Sequence, residues 1–138
     1  MENNTVEIEK KQINSREEVD FLVRRFYEKV QVHETLGPIF NGIIKDWHHH
    51  LIHLSNFWEM ILLNSGPGAG SFNPAKVHRE VDDKVGNTIE QTHFGNWLEL
   101  WFQTIDQYFE GENAEYAKQH ARRMAHNIFM RIWEGRER

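Results

Sequence analysis

"DWHHHLIHLSNFWEM" (residues 46–60) is the stretch whose reading decides the fold. Trp47, Leu51, Leu54, Trp58 and Ile61 fall on one stripe at helical spacing, and His50, Leu54, Phe57 and Ile61 fall on an overlapping one. The pattern predicts a helix over 44–64 with a broad apolar face. His50 and His53 then lie near the buried side, while His48 and His49 point to solvent. Histidines this dense mark a metal site or a polar gate on an apolar cavity, and the rest of the chain must say which.

Upstream, Ser15 followed by Glu18 is a capping-box signature. Val19, Leu22, Val23, Phe26 and Val30 then recur at helical spacing, predicting a helix over 16–32 with Tyr27 at the rim of its apolar stripe. "LGPIFN" (36–41) reads as a break at Gly37 and Pro38, with Phe40 an apolar residue in a connector. Downstream, "NSGPGAGSFN" (64–73) reads as a loop. Asn73 and Pro74 start a short helix that carries His78, and Gly86 and Asn87 mark another break. Phe94, Trp97, Leu98, Trp101, Phe102, Ile105 and Phe109 predict an aromatic helix over 92–109, ended by Gly111. Asn113 is the expected cap of a last helix carrying Ala117, Ala121, Met124, Ala125, Ile128, Ile132 and Trp133, with Gly135 at its end. No run alternates at period two. The expectation is an all-α fold, with a flexible tail over 1–14 and a single domain over 15–135.

A chain of 138 residues suits one domain with a real core. Five Trp, three Tyr and nine Phe are many for that size, and either fill a core or line a site for a flat apolar ligand. The net charge of -5 and the dispersed basic residues give no footprint for nucleic acid. With no cysteine, disulfides, thiolate nucleophiles and sulfur-ligated metals are excluded. The first residues carry no apolar run of the signal-peptide kind, and no stretch reaches the roughly 18 apolar residues of a membrane span. A soluble, cytoplasmic protein is expected.

Several polar side chains sit on apolar faces. His49 and His53 are spaced to chelate a transition metal, although the cluster supplies no carboxylate partner. His78 follows the Gly-rich loop between Val77 and Val81, as a ligand or a packed histidine. Tyr27 and Trp97 each carry a donor that needs a partner when buried.

Taken together, "FYEKV" (26–30), "LGPIFN" (36–41), the Trp47–His50–Ser55–Asn56–Phe57–Trp58 pattern, a histidine after a Gly-rich loop and "HFGNWLELWF" (93–102) resemble the group III truncated haemoglobins. The resemblance runs from about Ser15 to Trp133. It implies a truncated globin, a two-over-two helical sandwich around haem b (iron protoporphyrin IX). By that resemblance His78 matches the iron ligand, Tyr27 the distal hydrogen-bond donor, His50 the distal-helix histidine and Trp97 the distal tryptophan. Phe26, Phe40 and Leu54 match apolar pocket residues, and Phe57, on the same stripe as His50, is a further cofactor contact. Lys45, Lys76 and Arg79 are candidate partners of the propionates. Family members commonly carry a Leu-Pro segment after the iron ligand. Here "EVDDKVGN" (80–87) stands instead, which leaves His93 as the alternative ligand.

The function so implied is tight binding of O2, NO or CO at a five-coordinate iron. Tyr27, Trp97 and His50 would act on the ligand, for NO/O2 or peroxide chemistry rather than bulk transport. An unidentified reductase is the expected partner, and the chain is expected to be a monomer or weak dimer. Two other readings stay open: a non-haem metal enzyme on the His49–His53 cluster, and a cofactor-free helical interaction module.

Overall fold

The computed structural model describes residues 9–66 and 91–136. These form α1 (Arg16–Val32), α2 (Leu36–Ile43), α3 (Trp47–Leu63), α4 (Gln91–Tyr108) and α5 (Glu112–Arg136). Among the described residues there is no strand, only an isolated bridge between Lys11 and Phe109. The Gly-rich loop beyond residue 66, the expected short helix with Lys76, His78 and Arg79, and the break at Gly86 lie outside the described residues. So do residues 1–8.

α1 follows the sequence expectation because its signals are local. Ser15 is extended (φ -145, ψ 164) and its Oγ takes the Glu18 backbone N–H. Glu18 reaches back with Oε1 to the Asn14 N–H at 2.8 Å, one residue earlier than a standard capping box. The buried face, Val19, Leu22, Val23, Phe26 and Val30, is fully excluded from solvent. α3 starts under Asp46, whose Oδ1 accepts from the His49 N–H at 3.1 Å. It ends at Asn64 in the left-handed conformation (φ 54, ψ 41).

The break expected at "LGPIFN" is instead the start of α2. Pro38 sits in the first turn, where its missing N–H removes no helical hydrogen bond. Thr35 makes no side-chain cap. His33 Nδ1 takes its place, accepting the Thr35 and Leu36 N–H groups at 3.1 Å each. Gly37 lets α2 close on the end of α1: a Cβ there would stand 2.6 Å from the Gln31 carbonyl oxygen.

α1 packs against α2, α3 and α4; α4 packs against α5, and α3 touches α5. One pair, α1–α3, thus lies across the other, α4–α5. Trp101, Ile105 and Thr104 of α4 and Ala117 and Ala121 of α5 are fully buried where the pairs meet. The small residues of α5 let α4 approach closely enough for Trp101 Nε1 to donate to the Ala117 carbonyl at 3.2 Å.

Residues 11–13 do not run as the expected free tail. The Lys11 N–H donates to the Tyr108 carbonyl at 3.1 Å, and the Glu110 N–H donates to the Lys11 carbonyl at 2.9 Å. Ile13 is completely buried. Asn113, expected as a cap, lies inside α5 and spends its side chain on this segment, donating from Nδ2 to the Ile13 carbonyl at 2.7 Å. Ile13→Ala should therefore cost about 2–5 kcal/mol of stability in a urea titration, as for a core residue. A change within about 0.5 kcal/mol would mean a surface tail.

Candidate distal pocket

Phe26 and Tyr27 are neighbours on α1, and one residue of helix turns their side chains to different walls. Phe26 meets α4 edge-on, with ring centroids 5.3 Å from Trp97 and 4.9 Å from Trp101. Tyr27 faces α2 and α3, 6.0 Å from Phe40, 5.9 Å from Trp47 and 6.2 Å from His50. Trp47 is itself held by its indole N–H donating to Asn41 Oδ1 at 3.2 Å. The Asn41 amide in turn donates to the Gln31 carbonyl at 3.0 Å. α2 is thus tied to both helices that flank Tyr27.

Tyr27 is only 5% exposed. The Trp97 indole lies within hydrogen-bonding reach of its phenolic oxygen. Burial pushes the phenol up from 10.0 to about 12, and the Trp97 hydrogen bond opposes that rise. The phenol is therefore neutral, and its O–H remains a donor. Tyr27, Trp97, His50, Phe26 and Phe40 lie together in the structure. Leu54 lies half-buried one turn beyond His50, packed against the same core.

Other expectations fare differently. Phe57 is buried beside Trp58 (5.4 Å) and His120 (6.1 Å), on the side of α3 that meets α5. His53, expected near the buried side, is exposed: it lies about 100° round α3 from Leu54, on the far side of His50. It stacks on exposed His49 at 6.0 Å. His49 also faces Asp46, Nδ1 to Oδ2 at 3.4 Å. Among the described residues no group of three potential metal-binding side chains occurs, so the His49–His53 alternative is not favoured. His48 is exposed. Lys76, His78 and Arg79 lie outside the described residues.

Sequence reasoning passed over His120. It lies half-buried on α5 against Trp58 (5.7 Å), and burial followed by the nearby Arg123 charge lowers its pKa, favouring the neutral imidazole. The rings that bury it, Phe57 and Trp58, come from α3, so the spacing along its own helix does not reveal it.

A flat apolar prosthetic group suits this wall. Phe40, Trp47, Leu54, Trp97 and Leu98 pack on the core yet remain only half-buried. They surround a neutral buried phenol with a proton to donate.

Two crossed helix pairs around a buried tyrosine–tryptophan pair define a truncated globin. No protein-family model matches the chain. A group 3 truncated haemoglobin of Campylobacter jejuni is 30% identical over 115 residues, covering 80% of this chain and 85% of that protein. The crystal structure of the group III truncated haemoglobin from Campylobacter jejuni superposes with a TM-score of 0.78 at 27% identity, covering 90% of this chain and 95% of that one. The chain belongs to the group III truncated haemoglobins, and is a globin-type haem protein; oxygen binding comes with that family. No described helix is long and apolar enough to cross a membrane.

The buried phenol has a consequence for stability. Between pH 10.0 and about 12 the unfolded chain ionises Tyr27 while the folded chain does not. The unfolded state then binds fewer protons, so stability contributed below that window is lost as pH rises through it, by up to about 1.4 kcal/mol per pH unit. Urea midpoints followed through that range should fall less steeply in Tyr27→Phe. Equal slopes would show that the phenol titrates freely.

Proposed function

We propose that this chain holds a b-type haem with His78 as its iron ligand, and that Tyr27, oriented by Trp97, would donate to a diatomic ligand bound there. The observation that carries the reading is the buried Tyr27 phenol, enclosed by Phe40, Trp47 and His50 and within reach of the Trp97 indole. When bound, the haem supplies an open position for O2, NO or CO and passes electron density to the ligand, which makes it a better hydrogen-bond acceptor. Tyr27 answers with its O–H. Trp97 fixes the phenol by donating to its oxygen, which leaves the phenolic proton directed at the pocket rather than at Trp97. His50, 6.2 Å from Tyr27 and 5.7 Å from Trp47, would serve as a gate. Phe26, Phe40 and Leu54 supply apolar walls that keep water from competing for the donor. Lys45, Lys76 and Arg79 are the candidate propionate partners.

A hydrogen bond to a charged group is worth about 1.5–3 kcal/mol, so one donor of this kind slows ligand release by roughly tenfold or more. Slow release serves transport badly. It suits reaction of the held ligand, by oxidation of NO or reduction of peroxide, with a reductase supplying electrons. A monomer or weak dimer working in the cytoplasm is the form we infer.

Replacing His78 with Ala should abolish the Soret band of the purified protein; if the band persists unchanged, His93 or another residue holds the iron. Tyr27→Phe should speed O2 release, measured by stopped flow, by at least about tenfold, the loss of one charge-assisted hydrogen bond. An unchanged rate removes Tyr27 from the ligand's environment.

A further inference from the structure

Three indoles run through the core as a stack. Trp97 lies nearly parallel to Trp101, with centroids 5.8 Å apart and planes at 9°. Trp101 lies 4.8 Å from Trp58, at 27°. Trp58 meets the His120 ring at 5.7 Å, and His120 meets Tyr116 at 5.9 Å. The inner end is the tryptophan beside Tyr27. The outer end, Tyr116, is 44% exposed. An unbroken series of ring contacts therefore leads from the distal pocket to solvent on α5.

We propose that this stack carries oxidising equivalents from the pocket to Tyr116, where a small phenol is oxidised at the surface. The proposal rests on the haem reading above, with hydrogen peroxide as oxidant. Peroxide takes up two electrons and two protons in becoming two waters. Two phenols supply them, each losing one electron and one proton to become a neutral phenoxyl radical. Within the chain, Trp97 gives up an electron and is refilled from Trp101, then Trp58, then Tyr116 across the His120 ring. Tyr116 releases its proton to water and recovers an electron and a proton from the docked phenol.

The protonation chemistry favours this route. The Trp101 N–H donates to a backbone carbonyl, and the Trp97 indole lies within reach of a phenolic oxygen. Both acceptors are weak bases, so an oxidised indole keeps its proton, and refilling it requires only an electron. Tyr27 is a poorer end point, since at 5% exposure it lacks direct contact with bulk water to take its proton. Tyr116 has that route. It also lines an open surface depression with Gly111, Glu112, Asn113, Glu115 and Gln119. The carboxylates of Glu112 and Glu115 disfavour an anionic reductant there, and a neutral phenol fits.

The test uses haem-loaded protein, freeze-quenched after hydrogen peroxide and read by electron paramagnetic resonance, with dityrosine fluorescence as a second readout. Wild type should show a tyrosyl signal and cross-linked dimers. Tyr116→Phe, a surface change, should keep the Soret band and its CO shift but lose both radical signatures. Trp58→Phe, if folded, should leave the radical on the inner indoles. A tyrosyl signal undiminished in Tyr116→Phe overturns the relay while leaving the haem reading intact. So does a wild type with a normal Soret band and no tyrosyl signal. A wild type with no Soret band overturns both.

Discussion

The burial of the Tyr27 phenol among side chains of α2, α3 and α4 is the constraint on which the rest depends. A phenol taken out of water without a partner costs several kcal/mol on an apolar scale, so α1 can bury Tyr27 only if another element brings a donor to it. That element is α4, far away in sequence. With α4 packed on α1 over Tyr27, Phe26 meets both tryptophans edge-on and Trp101 falls against α5. The position of α2 follows from the same requirement. Its close seat at Gly37 and its ties through Asn41 bring Phe40 and Trp47 onto the other face of the phenol. The phenol of α1 thus has neighbours from α2, α3 and α4, and its exclusion from water depends on all three staying in place.

What was legible in the sequence is what is encoded locally. Ser15, Glu18 and the apolar spacing after them fix α1 within one segment, and the stripes of α3 and α4 do likewise. What was not legible depends on distant partners. Gly37 and Pro38 look like a break because both disfavour a helix interior. In a first turn Pro38 costs little, and Gly37 is required by the Gln31 backbone, which no local pattern reveals. Ile13 is a lone apolar residue in a polar stretch, so it has no period to detect, yet it is as buried as any core residue. Asn113 carries the composition of a cap but bonds a carbonyl of the N-terminal segment.

The pocket shows the same division. Spacing alone put Tyr27 at the rim of a helix and Trp97 on an aromatic face, each as a donor needing a partner. Family resemblance matched both to the distal site, and the structure adds that the two lie within reach of each other. His53 shows how sharply a helix discriminates: three residues past His50, it leaves the pocket and stacks on His49 in solvent. His120 could not have been found from its own helix, because what makes it notable is the pair of rings that α3 presses against it.

Trp101 bears on both the fold and the chemistry, and the two roles are separable only at the ends of the stack. It is fully buried, bonded to α5 and stacked on both sides, so removing it would disturb the crossing of the helix pairs. Loss of any function in such a variant would therefore say nothing about electron transfer. The offset stacking itself is ordinary for aromatic cores. What packing does not require is the continuation of the contacts through a neutral half-buried histidine to a tyrosine at the surface. A core needs only to be filled, and Phe or Leu would fill it with no polar handle to satisfy. Oxidisable rings placed in contact from a ligand pocket to water meet a further requirement, and the outer tyrosine is where that requirement can be examined without touching the core.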